Sequence, residues 1–308
     1  MPREVEIVDG AQIHALLASL PHEKAEEHEA WTRLANVALR ELGTVLNIAA
    51  THPSIRPAAG AWIDWRLDTA AAADLPMIGA DELAALIRLL SRERGTRIPI
   101  IRLWKAVGRW DAALATCLGD RDRTVRRAAA AVFAESPVLT PVAVAVAEAL
   151  FAALSDRDGT VRKTAAFAIT QRLPDDPRLP GAVIDLLVDR EANVRKGAAL
   201  SLCWLGERAL PALARLTALL DDESPGVRDH AAMTLGRIGP RARPALPSLA
   251  KLLDSTSAFV RATATEAILV IDPDAPEGRL ARSRAEHDRH RIVRQAVGHA
   301  EHRRQRPR

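Results

Sequence analysis

The sequence predicts an all-α chain in which antiparallel helix pairs stack into a solenoid, and three observations carry that prediction. The 308 residues are 48% hydrophobic and 27% charged but only 3% aromatic, with no Tyr, so a large core is available while strands rich in aromatic side chains are disfavoured. Alanine and leucine dominate, and both favour helix. The dipeptide Val-Arg recurs at Val125-Arg126, Val161-Arg162, Val194-Arg195, Val227-Arg228 and Val260-Arg261, at intervals of 36, 33, 33 and 33 residues. A fixed period of this length marks a repeat architecture.

Taken in chain order, residues 1–110 hold five of the six tryptophans (Trp31, Trp62, Trp65, Trp104 and Trp110) and read as helices over 29–47, 58–73 and 81–90 with irregular breaks. The stretches PSIRPAAGAW (Pro53 to Trp62) and IPIIRLW (Ile98 to Trp104) are faint Ile-Arg variants of the repeat. This region is expected to be a helical cap or a set of degenerate repeats, where large aromatics close the core of a unit that lacks a neighbour.

Residues 111–276 are expected to form five repeats. An Asp stands five residues before the Val in four of them (Asp120, Asp156, Asp189, Asp222), and in the fifth the acid is one position earlier, at Asp254. Small-residue runs follow each Arg: RAAAAVF, KTAAFAI, KGAALSL, DHAAMTL and ATATEAI. Ahead of the acid lies a second apolar pattern, clearest in PALARLTALLD (Pro211 to Asp221) and PALPSLAKLLD (Pro244 to Asp254). Each unit therefore reads as helix, short acidic turn, helix.

In the second helix the Val and the Ala three or four positions later share one face, and alanine lets neighbouring helices approach closely. The Asp is placed to accept hydrogen bonds from N–H groups at the start of that helix, where its charge also suits the dipole. Pro141, Pro180, Pro211 and Pro244 suit the first turn of the first helices. Trp204, within the apolar run ALSLCWLG, is assigned to the core. A single pair cannot bury both faces, so the pairs must stack.

The residues from about 111 to 272 resemble the HEAT-repeat family, in its short bacterial form with a D-x-x-x-x-V-R-x-x-A-A signature. The resemblance implies a HEAT-like superhelix, an Asp–Arg ladder between adjacent repeats, and second helices lining a concave side. It gives Asp120, Arg126, Asp156, Arg162, Asp189, Arg195, Asp222, Arg228 and Arg261 a structural role.

The repeat register is read as ending at Pro273. Residues 277–308 carry ten Arg against four acids, so with a whole-chain charge of +4 the preceding 276 residues sum to −2. Leu280, Ile292, Val293 and Val297 are its few apolar anchors, and the segment is expected to be a solvated helix or a disordered tail.

No catalytic constellation emerges. There is no phosphate-binding G-x-x-x-x-G-K-[ST] and no G-x-S-x-G. Cys117 and Cys203 sit in apolar stretches that give neither a disulfide framework nor a zinc pattern, which suits a reducing cytoplasm. The N-terminal MPREVEIVDG lacks a signal-peptide pattern, and the most apolar segment, Val138 to Leu154, contains Pro141 and Glu148 and is too short to span a bilayer. His22 and Glu26 could share a helical face, but a run mixing Glu, Lys and His reads as a solvated surface. His287 with His290, and His299 with His302, are weaker still. No metal and no cofactor is expected.

Three enzyme groups share this repeat type. Deoxyhypusine hydroxylases carry iron on His-Glu dipeptides inside the repeats, whereas here these occur only at His22-Glu23 and His28-Glu29, and His230 precedes Ala. Nothing identifies a bilin pocket of the phycobilin-lyase kind. HEAT-like DNA glycosylases use Trp and Asp near the damaged base, for which Trp104, Trp110 with Asp111, and Trp204 are the candidates.

What remains is surface chemistry. The position after the repeat Arg is Arg127, Lys163 and Lys196, then Asp229 and Ala262, so a basic stripe with steps of about 10 Å could meet phosphates or an acidic partner. Two readings follow. The first is a non-enzymatic scaffold or adaptor whose concave face holds a protein partner, with the tail as a tether. The alternative is a nucleic-acid-binding protein or base glycosylase using the basic groove and the C-terminal tail. The charge balance of residues 1–276 and the lack of aromatics interleaved along the repeats favour the first. Partner identity and oligomeric state stay open.

Overall fold

In a computed structural model of the chain, the described residues are 10–19, 42–52, 54, 59, 80–90, 111–135 and 142–305. They contain helices and turns and no strand. The chain divides into two compact units, residues 1–150 and 151–308.

In the first unit, α1 (Gly10–Ser19) packs on α2 (Leu42–Thr51), α2 on α3 (Ala80–Leu90), and α3 on both α4 (Asp111–Cys117) and α5 (Arg123–Glu135). Ile13, Leu17, Val45, Leu83, Ile87, Leu114, Val125 and Phe133 are buried there. The five N-terminal tryptophans and the stretch from His22 to Glu29 lie outside the described residues. The helix α6 (Val144–Ala153) follows at the sequence division.

The second unit shows how a 33-residue period becomes a stack. Its second helices are α7 (Gly159–Arg172), α9 (Ala192–Leu205), α11 (Pro225–Ile238), α13 (Ala258–Ile271) and α15 (Arg291–Gln305), and each packs on the next. Its first helices are α8 (Leu179–Asp185), α10 (Leu213–Ala218), α12 (Leu246–Lys251) and α14 (Pro276–Glu286). Val161, Val194, Val227 and Val260 are all buried, as are Ala165, Ala198, Ala231 and Ala264 four residues later. The small side chains set the spacing: a Cβ added at Gly236 of α11 would stand 3.1 Å from the Ala267 Cα of α13.

Glycine ends two of the second helices. Gly206 and Gly239 have φ of 55° and 75°, a conformation that side chains disfavour, and the chain then turns into 3-10 helices over Gly206–Ala212 and Gly239–Ala245. Pro211 and Pro244 lie inside these 3-10 segments, one step earlier than the first turn expected for them, while Pro180 does sit in the first turn of α8. The missing N–H of proline costs less in such a short, loosely bonded helix end.

The structure changes three readings made from the sequence. The register continues past Pro273: α14 and α15 form a further helix pair, in which Val293-Arg294 follows Val260-Arg261 by 33 residues and Asp288 stands five before the Val. Ala262, Ala285, Val293 and Ala296 close a buried cluster, with Ala258 and Val297 packed against it. This copy is hidden in the sequence because its small-residue run is interrupted by Val297 and His299 among many arginines.

Trp204 is 64% exposed. Its apolar run wraps more than one face of α9, so Leu202 and Leu205 fill the core while Trp204 points away from it. In the fifth repeat, Ser255 and not Asp254 takes the turn position. The Ser255 hydroxyl oxygen accepts from Ser257 N–H at 3.3 Å, and Arg261 donates to the Ser255 carbonyl at 2.7 Å. Asp254 instead ends the 3-10 helix Leu252–Asp254 and pairs with Arg284.

Candidate partner-binding face

The inter-repeat turns fix the second helices, so they come first. Each turn Asp accepts with Oδ1 from the N–H two residues on: Asp120 from Asp122 at 2.7 Å, Asp156 from Asp158 at 2.8 Å, Asp189 from Glu191 at 2.9 Å, Asp222 from Ser224 at 2.9 Å and Asp288 from His290 at 2.8 Å. These N–H groups precede the helix start, so the Asp closes the turn and does not cap the helix itself. The cap falls to the residue two positions on where its side chain allows: Asp158 accepts from Thr160 and Val161, and Ser257 from Val260.

The repeat arginines tie down their own turns, and three of them also bridge to the next repeat. In each, Nη1 donates to a turn carbonyl of its own repeat, from Arg126 to Asp120 at 2.9 Å, Arg162 to Asp156 at 2.7 Å, Arg195 to Asp189 at 2.9 Å and Arg228 to Asp222 at 2.7 Å. In Arg162, Arg195 and Arg261, Nε and Nη2 also reach the turn carboxylate one repeat on. Arg162 holds Asp189 at 2.7 and 2.8 Å, Arg195 holds Asp222 at 2.7 and 3.0 Å, and Arg261 holds Asp288 at 2.7 and 3.0 Å. Only Arg can do both at once, because its planar fork presents separate edges. Glu191 adds a third contact to Arg162 at 3.1 Å.

The bond from Arg261 lowers the Asp288 pKa to about 2, and the same bond raises the Arg261 pKa. A folded-state value below the ordinary carboxylate pKa of about 3.9 means stability that is complete above that pH and lost as pH falls toward 2. Asp288→Asn is therefore expected to lower Tm at neutral pH and to flatten the loss of Tm between about pH 4 and 2, read from thermal melts across that range.

The second helices of this unit have one face covered by the first helices and one left open. Positions spaced by 33 form rows across it. Phe167, Leu200 and Met233, all partly exposed, make an apolar row on α7, α9 and α11, which ends at Glu266 on α13. One turn further along, Gln171, Trp204 and Arg237 make a second row, with Trp204 the most exposed aromatic on it.

Lys163 and Lys196 lie on the same face, and their stems run across to the next helix. A Cβ at Gly197 would meet Lys163 Cγ at 2.3 Å, and one at Gly226 would meet Lys196 Cδ at 3.4 Å. The lysine row stops at Asp229, which accepts from the Thr263 hydroxyl at 2.6 Å. Arg127, the other basic position read from the sequence, is exposed on α5 of the first unit.

A family model for HEAT repeats matches residues 147–218, 184–269 and 214–300, which together span 147–300, half of the chain. The chain belongs to the HEAT-repeat family. The matched span of this HEAT array reaches into α15, the helix that packs on α13.

Among solved structures, an engineered protein superposes with a TM-score of 0.51 at 18% identity, covering 97% of this chain and 89% of that one. A designed armadillo repeat protein in complex with the peptide (KR)4 gives 0.47 at 20% identity over 68% of this chain and 98% of that one. The complex of CpcE and CpcF of phycocyanin lyase from Nostoc gives 0.45 at 23% identity, over 61% and 74%. No curated protein matches. These likenesses speak to the fold alone.

Within the HEAT array, sequence reasoning missed the row Phe167, Leu200, Met233 and the exposure of Trp204. The signal was present as apolar residues six positions after the repeat Val, off the face shared by Val and Ala. Trp104 and Trp110 lie outside the described residues, which also hold no cluster of three or more metal-binding side chains. No helix among them is long and apolar enough to cross a membrane.

Proposed function

We propose that this HEAT array is a non-enzymatic scaffold of the cytoplasm that holds a segment of a protein partner on the open face of α7, α9 and α11. The observation that carries the reading is Trp204, 64% exposed beside the apolar row Phe167, Leu200 and Met233. Large aromatics left in water beside apolar neighbours suit binding anchors, because their burial on association gains area at low entropic cost. Lys163, Lys196 and Arg237 frame the row and favour a partner segment that pairs apolar anchors with acidic residues.

The nucleic-acid alternative rests on the arginines of α14 and α15, and several of these are spent internally. Arg282 pairs with Glu301, Arg284 with Asp254 and Arg303 with Glu266, while Arg279 and Arg294 donate to backbone carbonyls. Three of these charges are offset by acids and two more arginines have donors already taken, so fewer free guanidinium edges are left for phosphates than the composition suggests.

Affinity capture from the native cell with the wild-type chain and with Trp204→Ala/Lys196→Glu tests the reading. Proteins retained by the wild type should be lost from the variant, whose Tm should stay within a few degrees because both side chains face solvent. Equal capture by both chains, or tight binding of duplex nucleic acid at physiological salt, would overturn it.

A further inference from the structure

Among the described residues of the second unit, the ladder has a rung without its carboxylate. Arg162, Arg195 and Arg261 each place Nε and Nη2 on an Asp 27 residues on, whereas the position 27 residues after Arg228 is Ser255. The guanidinium of Arg228 is nevertheless set as in the other rungs, since Nη1 donates to the carbonyls of Asp222 at 2.7 Å and Glu223 at 3.1 Å. Its other edge has no carboxylate partner among the described residues. Of the acids in the turns on either side, Asp222 feels the Arg228 charge but is hydrogen-bonded by Arg195, Glu223 lies 3.4 Å from Arg195, and Asp254 pairs with Arg284.

We propose that this gap is an oxyanion-binding site. Exchanging Asp for Ser removes the two carboxylate oxygens that face the guanidinium fork in the neighbouring rungs and leaves a hydroxyl, so a small anion with a planar oxygen pair could stand in for the lost carboxylate. The fork of Arg228, partly buried and oriented by its carbonyl bonds, supplies two parallel charge-assisted donors to a phosphate or a carboxylate. The Ser255 hydroxyl stands at the same turn, next to the start of α13, whose Ser257 cap leaves further N–H groups at that end. Occupancy would restore the tie between the turn of α11 and the turn of α13 that the neighbouring rungs possess, so anion binding and stability of the array are coupled.

Thermal melts of the full chain in phosphate, acetate and chloride at one ionic strength test the site, with wild type, Ser255→Asp and Arg228→Gln compared. Phosphate or acetate should raise the wild-type Tm above its value in chloride, and whichever acts at lower concentration names the preferred oxyanion. Ser255→Asp should be more stable than wild type in chloride, because it rebuilds the rung. Its anion response, and that of Arg228→Gln, should need at least about tenfold more anion, the factor one charge-assisted hydrogen bond is worth. Equal responses in all three chains would assign the effect to the arginine-rich surface and overturn the proposal. So would a Ser255→Asp chain no more stable than wild type in chloride.

Discussion

Val194→Asp should destabilise the second unit by several kcal/mol. Val194 is fully buried on α9, between the packed faces of α7 and α11. Arg195, the next residue in sequence, spends its fork on Asp222 and its remaining edge on the carbonyls of Asp189 and Arg190. A carboxylate at this point must stay unpaired or take a proton, and either way it also leaves part of the Val volume empty. The cost is about 4 kcal/mol or more, a large share of the roughly 5–15 kcal/mol that holds a domain folded.

In a solenoid such a loss is shared, because each repeat is stabilised chiefly by its neighbours. Asn193→Asp is the control, one residue away and exposed, where the change should stay within about 0.5 kcal/mol. Denaturant unfolding followed by circular dichroism separates the two. A midpoint for Val194→Asp equal to that of wild type would show that the Val face does not form the inter-helix core.

The sequence disclosed the parts of this structure that repeat and hid those that depart from repetition. Val at a period of 33 with Ala four residues later dictates a buried face whatever surrounds it, which is why α7 through α13 were legible. The pair α14 and α15 departs from it by one step, with Val297 four residues after Val293 while Ala296 and Ala300 are the buried alanines; its exposed positions are largely arginine and histidine, and composition masked the period. Trp204 was hidden for the opposite reason. An apolar residue in an apolar run looks internal, and only the packing of α9 against α7 and α11 decides which side of the helix is left uncovered. The turn of the fifth repeat shows a third limit: Asp254 and Ser255 are adjacent, and which of them closes the turn depends on where the 3-10 helix ends.

Deleting residues 276–308 is expected to destabilise the array, although composition alone marks that segment as a dispensable tether. Removal of α14 and α15 uncovers Ala262, Thr265 and the rest of the α13 face, takes Val293 and Ala296 out of the cluster they close, and strips Arg261 of Asp288 and Glu266 of Arg303. Losing one interface of a stacked array and the burial of a few apolar side chains costs on the order of 3 kcal/mol. Truncation would therefore weaken any binding, by protein or by nucleic acid, through loss of folded chain.

Charge has to be removed without removing the helices. Arg291 and Arg304 are exposed and Arg289 is bonded only to the neighbouring His290 ring, so changing these three to Gln should leave the melting midpoint in place while lowering the local charge by three. Denaturant midpoints of the truncated and the neutralised chains should thus differ by the interface energy, and a truncated chain as stable as wild type would mean that α15 does not pack on α13. If the neutralised chain keeps both its midpoint and its partner, the arginines serve solubility, and the contacts made on the face of α7, α9 and α11 carry the binding.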